Sequence, residues 1–349
     1  MILLTPDGGG EELIADAHVL PATYVGNKAA KPIFDYLNSN ASLSPSGTIV
    51  FYGTTYHREE APILSSFSSR GPNSVSPDIL KPDVIAPGLN ILAAWPLNLS
   101  PSRLPSDKRR TKFNLDSGTS MSCPHVSGLA ALLKAAHPDW SPAALKSALM
   151  TTAYVTNNKG HPITDASLPG SPATPFDMGA GHVNPEKARE PGLVYDIGTE
   201  DYVNYLCSLN YSSSEIGMLT KTLVSCPKQI PKPGDLNYPS FSVVFYSSGK
   251  ASATFTRKVT NVGPDNSTYS VQVVEPLGVT VTVKPKTLVF TKKNQRHLYT
   301  VSFGVEKSSA SGAYGSITWS SGVYTVRSPV AVTWVDRSLT FRDDEGLVA

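Results

Sequence analysis

The residues of this sequence that could do chemistry lie in segment 117–128, which reads S-G-T-S-M-S-C-P-H-V-S-G. Gly118 and Thr119 turn the backbone tightly and present Ser120 at the start of a helical pattern. The first N–H groups of a helix have no intrahelical partner and attract negative charge. They could therefore stabilise the oxyanion that forms when a serine attacks a carbonyl carbon. A serine at this position also commonly serves as an N-cap, so the residue types alone leave both roles open.

Segment 117–128 resembles the serine signature of subtilisin-like proteases, in the form typical of plant subtilases. Other segments resemble further parts of that family. The active-site scaffold of the family is resembled by segments 68–73, 80–88, 137–142 and 176–185. Its fibronectin-III-like C-terminal domain is resembled by segments 236–240 and 259–263. The resemblance implies that Ser120 is the nucleophile of a serine-type endopeptidase, which hydrolyses peptide bonds through an acyl-enzyme. It also implies that the partners are protein or peptide substrates.

The sequence departs from the family pattern in its catalytic base. Members of the family carry Asp, His and Ser in that order, with the Asp-[Thr/Ser]-Gly and His-Gly-Thr motifs upstream of an insertion domain. Here His-Gly-Thr is absent. Asp116-Ser-Gly matches the aspartate motif in its letters only, because it overlaps the turn that carries Ser120. His125 follows Ser120 by more than one helical turn, and Asn114 does not correspond to the family's oxyanion asparagine. A serine hydroxyl without a base is nearly inert, so this chain is expected to be inactive alone.

Two interpretations follow from this departure. In the first, the chain is an N-terminally truncated part of an active subtilase, and Met1 is an internal methionine of the longer protein. In the second, it is a non-catalytic binding or scaffold fragment, which would make it a pseudoprotease. The sequence immediately upstream of Met1 would distinguish the two.

Helical spacing predicts two helices around the candidate nucleophile. Apolar residues from Met121 onward recur at positions 126, 129, 130, 132, 133 and 136, and Pro138 ends the pattern. Ser141 then supplies an N-cap, with a proline at the first helical position, for a helix over residues 143–153.

Strand signals flank these helices on both sides. The short apolar segments 82–88 and 90–95 are expected to be buried parallel strands, and segment 48–52 is expected to be a strand ended by a glycine. From about residue 234 the pattern switches to strict alternation, as in 279–283 and 299–303, which predicts an antiparallel β-sandwich.

Together with the resemblance, these patterns predict an α/β fold. It is the C-terminal part of a doubly wound parallel-sheet subtilisin-like domain, followed by an all-β fibronectin-III-like sandwich. The expected domains are a remnant of a protease-associated insertion domain (1–56), the C-terminal half of the catalytic domain (57–230), the sandwich (235–334) and a solvated tail (335–349).

The composition of the 349 residues excludes several classes of function. A net charge of +2, with 17% charged residues, argues against nucleic-acid and anionic-membrane partners. The sequence contains no run of 18 apolar residues that could span a membrane. No zinc-ligand spacing, calcium loop or phosphate-binding loop occurs, so no cofactor or metal is expected. The oligomeric state stays open.

Cysteines and glycosylation acceptors indicate secretion. Cys207 and Cys226 lie in a polar, turn-rich stretch that suits a surface disulfide, whereas Cys123 within a helical pattern is expected to be a buried free thiol. Four N-x-S/T tripeptides are candidate N-glycosylation sites, at Asn40, Asn98, Asn210 and Asn266. The resemblance implies an extracellular or cell-wall protein, with the signal peptide in the missing N-terminal part.

Overall fold

The structure is a computed structural model that describes residues 1–5, 8–39, 44–53, 60–246, 252–307 and 312–335. The chain forms two compact units. Unit 1 comprises Met1–Ser69, Ile85–Gly128 and Val155–Ala173, and unit 2 comprises Arg70–Val84, Leu129–Tyr154 and Thr174–Ala349. Each unit is therefore assembled from segments that are distant in sequence.

Unit 1 contains few regular elements. In chain order they are β1 (Ile2–Leu4), β2 (Thr23–Val25), α1 (Asn27–Leu37), β3 (Ile91–Ala94) and β4 (Phe113–Asp116). β1 pairs with β2 in parallel. β3 pairs with β4 in an antiparallel register that places Ile91 opposite Asp116. This hairpin leads directly into α2 (Thr119–Ala136), whose first half belongs to unit 1.

Three strand predictions between residues 48 and 95 are wrong in whole or in part. Residues 48–52 form no strand, and the side chain of Tyr52 is 91% exposed. Residues 82–88 form no strand longer than a single bridge residue, and β3 is antiparallel rather than parallel, with Leu92 68% exposed. An apolar run becomes a buried parallel strand only inside a sheet whose two faces are covered by other elements. Within the described residues, β3 has only β4 beside it.

Both helix predictions are confirmed, but the two helices differ in burial. α3 (Pro142–Thr151) begins as predicted, because Ser141 Oγ accepts a hydrogen bond from Ala144 N at 3.0 Å and Pro142 occupies the first position. Eight of the ten α3 residues are buried. In α2, by contrast, only Leu133 is buried, and the neighbouring Leu132 is 69% exposed. The apolar face of α2 is therefore largely uncovered by the described residues.

Unit 2 continues with short helices and then a β-sandwich. The helical elements are α4 (Pro175–Met178), α5 (Pro185–Arg189), α6 (Thr199–Ser208), α7 (Ser213–Thr220) and a 3-10 turn (Pro233–Asp235). The strands are β5 (Leu193–Val194), β6 (Phe241–Tyr246), β7 (Ser252–Asn261), β8 (Ser267–Val274), β9 (Val279–Lys284), β10 (Thr287–Phe290), β11 (Arg296–Val305), β12 (Ala313–Ser320) and β13 (Thr325–Val335).

The sandwich consists of a five-stranded sheet, β10-β8-β12-β13-β6, and a four-stranded sheet, β5-β7-β11-β9. Large side chains of both sheets fill the space between them, and Trp319, Phe290 and Phe303 are fully buried. The predicted alternation is confirmed in β9, where every second residue is buried. The sandwich is not wholly antiparallel, since β6 and β13 pair in parallel.

A strand from outside the alternating tract completes the four-stranded sheet. β5 pairs with the end of β7 and places Leu193 opposite Asn261. The next residue, Tyr195, is buried, and its hydroxyl lies 2.6 Å from that of Tyr299 in β11. Ser328 Oγ in β13 donates to the same Tyr195 hydroxyl at 3.1 Å. Residues 193–195 are thus an integral part of the sandwich.

Candidate active site

Ser120 is exposed at the second position of α2, immediately after a tight backbone turn. The turn depends on Gly118, whose φ of +147° lies in a region that favours glycine. Gly118 N donates to Gly88 O at 2.8 Å, and Ser122 Oγ donates to Ala86 O at 3.0 Å. The turn that carries Ser120 is therefore anchored on both sides to residues 86–88.

A second set of hydrogen bonds centres on Asn90. Asn90 N donates to Ser117 Oγ at 2.8 Å, and Ser117 Oγ donates to Asn90 Oδ1 at 3.3 Å. The same amide accepts from Ala15 N at 2.8 Å and donates to Leu13 O at 3.0 Å. Asn90 has a φ of +53°, which asparagine tolerates better than most residues. Sequence analysis missed this residue, because only its partners 27 and 75 positions away reveal its role.

A cavity of about 360 Å³ opens beside Ser120. It is lined by Ile14, Asp16, Phe67 and residues 116–120. A neighbouring cavity of about 550 Å³ shares Asp16 and Asp116 with the first and is also lined by Arg103 and His18. Space for a bound molecule thus extends from Ser120 along one side of β4.

Asp116 joins the turn of Ser120 to the loop between β3 and β4. Its Oδ1 accepts from Ser117 N at 2.9 Å, and its Oδ2 accepts from Arg103 Nη2 at 3.0 Å. Arg103 in turn lies 4.9 Å from the centre of the Trp95 ring, a favourable cation–π distance. The carboxylate is therefore held at the cavity wall and hydrogen-bonds to none of the described histidines.

The β3–β4 loop is held in place by a buried carboxylate. Asp107 is 5% exposed and accepts from Arg109 Nε at 3.0 Å and from Ser102 Oγ at 2.6 Å. These bonds, that from Arg109 foremost, hold the pKa of Asp107 well below its usual value. Arg109 Nη2 also donates to Ala17 O at 2.6 Å, which fixes segment 14–18 against the loop. Asn114 is engaged in the same loop, because its Nδ2 donates to Pro101 O at 3.0 Å.

No histidine hydrogen-bonds to Ser120 in the described part of the chain. His125 Nδ1 donates to Met121 O at 2.8 Å, within α2. The other described histidines with ring hydrogen bonds use them elsewhere, as His137 does with Arg189 O, His161 with Glu60 and His297 with Val289 O. His57 lies outside the described residues. The expected division of roles therefore stays a prediction: Ser120 is exposed at the start of α2, and none of the described histidines hydrogen-bonds to it.

A polar cluster surrounds the Tyr238 hydroxyl within unit 2. The hydroxyl of Tyr238 donates to Asp83, and Lys81 Nζ donates both to Asp83 Oδ1 at 2.9 Å and to the Tyr238 hydroxyl at 2.8 Å. Lys146 Nζ lies 3.7 Å from Asp83 Oδ2. Burial, together with the adjacent Asp83 carboxylate, raises the pKa of Tyr238 far above its usual value.

The remaining candidate positions lie away from Ser120. Cys207 at the end of α6 is joined to Cys226 by a disulfide. The prediction that Cys123 is buried is wrong: its thiol is exposed, because the face of α2 on which it lies is uncovered. Among the glycosylation candidates, Asn98, Asn210 and Asn266 are exposed, and Asn40 lies outside the described residues.

The ranges that the structure describes contain neither a candidate metal site nor a membrane-spanning helix. No group of three or more His, Cys, Asp or Glu side chains is placed so that it could hold a metal ion. Of the helices in these ranges, none is long and apolar enough to cross a bilayer.

Comparisons with known proteins agree with the geometry. Residues 25–181 match the profile described as "Subtilase family", and residues 235–332 match that described as "Fibronectin type-III domain". The chain is 52% identical to the subtilisin-like protease SBT1.7 of Arabidopsis thaliana over 338 residues, which cover 96% of this chain and 44% of the relative. It is 50% identical to SBT1.5 and to SBT1.3 of the same plant, over 95% and 96% of this chain and 44% and 43% of those relatives. It therefore spans less than half the length of these curated relatives.

Proposed function

Since the chain belongs to the subtilase family over residues 25–181 and carries a fibronectin type-III domain over residues 235–332, we propose that it is part of a serine endopeptidase whose nucleophile is Ser120. The observation that carries the proposal is the position of Ser120. It lies exposed at the N-terminus of α2, behind the Gly118 turn and beside an open cavity. The substrates are proteins or peptides.

The chemistry follows from this position. Ser120 Oγ attacks the carbonyl carbon of a peptide bond while a histidine base takes its proton. Backbone N–H groups in the first turn of α2, including that of Ser120, point towards the oxyanion of the tetrahedral intermediate. The intermediate collapses, the protonated histidine gives its proton to the leaving amine, and an acyl-enzyme remains. Water, deprotonated by the same base, then releases the carboxylic acid product and restores Ser120.

The base and its orienting aspartate lie outside these 349 residues in this proposal. Two observations support it: the described histidines do not hydrogen-bond to Ser120, and the apolar face of α2 is uncovered. The lengths of the curated relatives are consistent with a larger catalytic domain. The isolated chain is then an inactive, N-terminally truncated form of an active enzyme.

The domain limits and the location of the protein also belong to the proposal. Residues 1–56 are a remnant of a protease-associated insertion, residues 57–230 are catalytic and residues 235–334 form the sandwich. The Cys207–Cys226 disulfide and the exposed acceptors at Asn98, Asn210 and Asn266 support an extracellular, glycosylated protein. The full-length protein would then carry the signal peptide upstream.

Labelling by a fluorophosphonate tests the proposal, because only an activated serine reacts quickly. The full-length protein that contains this chain should be labelled, its Ser120→Ala variant should not, and the isolated 349-residue chain should react slowly at most. Ser127→Ala is the matched control, since Ser127 is exposed on the same helix and its hydroxyl donates to Cys123 O within that helix. Label that persists in Ser120→Ala, or a full-length protein that never reacts, would contradict the assignment and support a pseudoprotease.

A further inference from the structure

The cavity beside the nucleophile is acidic. Asp16 and Asp116 are the charged residues that line the 360 Å³ cavity, and no described cation faces it. Asp16 forms no ion pair among the described residues. Asp116 is paired with Arg103, but both side chains are partly in water, with 37% and 63% exposed. One cation therefore offsets two carboxylates along this side of the active site.

The same cavity also has an apolar side. Ile14 and Phe67 line it together with the two carboxylates. Long cationic side chains suit such a surface, because the aliphatic stem packs on apolar groups while the charged head reaches a polar partner. A glutamate or aspartate side chain in the same place would meet two like charges.

Asp116 is close enough to act on the residues next to the scissile bond. It precedes Ser120 by four positions, so their Cα atoms are at most about 14 Å apart even if the chain were fully extended. An extended peptide advances about 3.3 Å per residue. A side chain within a few residues of the bond that Ser120 attacks can therefore lie against Asp116.

From these relationships we propose that Asp116, together with Asp16, determines substrate specificity and favours peptides with lysine or arginine close to the scissile bond. Arg103 moderates this preference because it competes for the Asp116 carboxylate. The inference rests on the proposed function of Ser120 and specifies its substrate class. A partly exposed charge pair of this kind is expected to change relative rates by about three- to tenfold.

The test uses the full-length protein and fluorogenic peptides that carry lysine, arginine, norleucine or glutamate at each of three positions on either side of the scissile bond. The ratio of kcat/KM for lysine over norleucine should be about three to ten at one position at least, and should shrink in 0.5 M NaCl. Asp116→Asn should lower this ratio, Asp16→Asn with Asp116→Asn should bring it close to one, and Arg103→Gln should raise it. Asp139→Asn, which removes an exposed carboxylate that lines neither cavity, is the charge-matched control and should keep the ratio.

Binding separates failure of this inference from failure of the proposed function. The anisotropy of fluorescent lysine and norleucine peptides, measured with the Ser120→Ala full-length protein, requires no turnover. Tighter binding of the lysine peptide that disappears in the Asp16→Asn, Asp116→Asn background supports the inference even if no peptide is cleaved. Equal binding of the two peptides, or a lysine preference that survives in that background, overturns it, whether or not Ser120 reacts with the fluorophosphonate.

Discussion

Gly88 and Gly118 are joined backbone to backbone, with the Gly118 N–H donating to Gly88 O at 2.8 Å. A Cβ atom at Gly88 would collide with Ser122 Oγ and would lie 2.9 Å from Gly118 O. The close approach is possible only because residue 88 has no side chain. The position of Ser120 is thus set by a residue 32 positions upstream.

Gly88→Ala is therefore expected to displace the turn and to slow the reaction of Ser120 far more than it unfolds the protein. A displacement of about 1 Å can cost roughly 100-fold in rate, whereas overpacking of this size destabilises by about 1–3 kcal/mol. The measurement is the rate of fluorophosphonate labelling of the full-length protein, with urea denaturation alongside. Gly128→Ala is the control, because nothing lies within 4 Å of a Cβ there. Labelling of Gly88→Ala at the wild-type rate would show that the turn does not depend on this contact.

Tyr238→Phe is expected to destabilise unit 2 by about 1–3 kcal/mol, because it removes a buried hydroxyl that bonds to both Asp83 and Lys81. The free energy of unfolding in urea measures the loss. Tyr211→Phe is a suitable control, since Tyr211 is exposed and its hydroxyl has no hydrogen bond to a described residue. Equal stability of the two variants would mean that the cluster at residue 238 contributes little.

Buried tyrosines predict a loss of stability in alkali. Burial raises the pKa of Tyr269 to about 12 and raises that of Tyr299 well above the usual 10.0. Both groups stay protonated in the folded state, so their contribution is complete below pH 10, where the unfolded chain is also protonated. It declines as the pH rises from 10 towards the folded-state pKa, by about 1.4 kcal/mol per tyrosine per pH unit.

Urea unfolding of the chain at pH 9.0 and pH 11 measures this decline. In Tyr299→Phe the decline between the two pH values should be smaller by the contribution of one tyrosine. The free energy of unfolding of this variant at pH 9.0 will be lower than that of the wild type, because Tyr195 loses a hydrogen-bond partner. A free energy of unfolding that does not change between the two pH values would contradict the predicted ionisation.

Hydrogen exchange of the isolated 349-residue chain should be slower in the sandwich than in α2. Amides of β11 and β12 lie in a fully packed core and are expected to exchange slowly, whereas those of α2 should exchange quickly because most of the helix is exposed. Mass spectrometry of peptides from one sample compares the two directly. Equal protection of α2 and β12 would indicate that α2 is stable without a covering sheet.

The sequence predicted those elements whose cause is local. Spacing defined α2, the Ser141-Pro142 pair defined the start of α3, and alternation defined the sandwich strands. The apolar patterns of residues 48–52 and 82–95 gave wrong strand predictions, because strand formation and burial depend on a partner sheet that the pattern itself does not contain. Tyr238 was missed for the same reason: its partner Asp83 lies 155 residues away, and nothing in its immediate sequence marks the contact.

β5 has a consequence for how proteins of this architecture can be recombined. The segment 193–195 lies about forty residues before the fibronectin type-III match, yet it supplies an edge strand and the hydroxyl that faces Tyr299. A gene fusion that exchanged the sandwich at residue 235 would pair the donor's sheet with the host's edge strand and would place a foreign side chain against Tyr299. The sandwich is therefore inherited together with its edge strand, and a chimera is expected to fold well only if the crossover precedes Leu193.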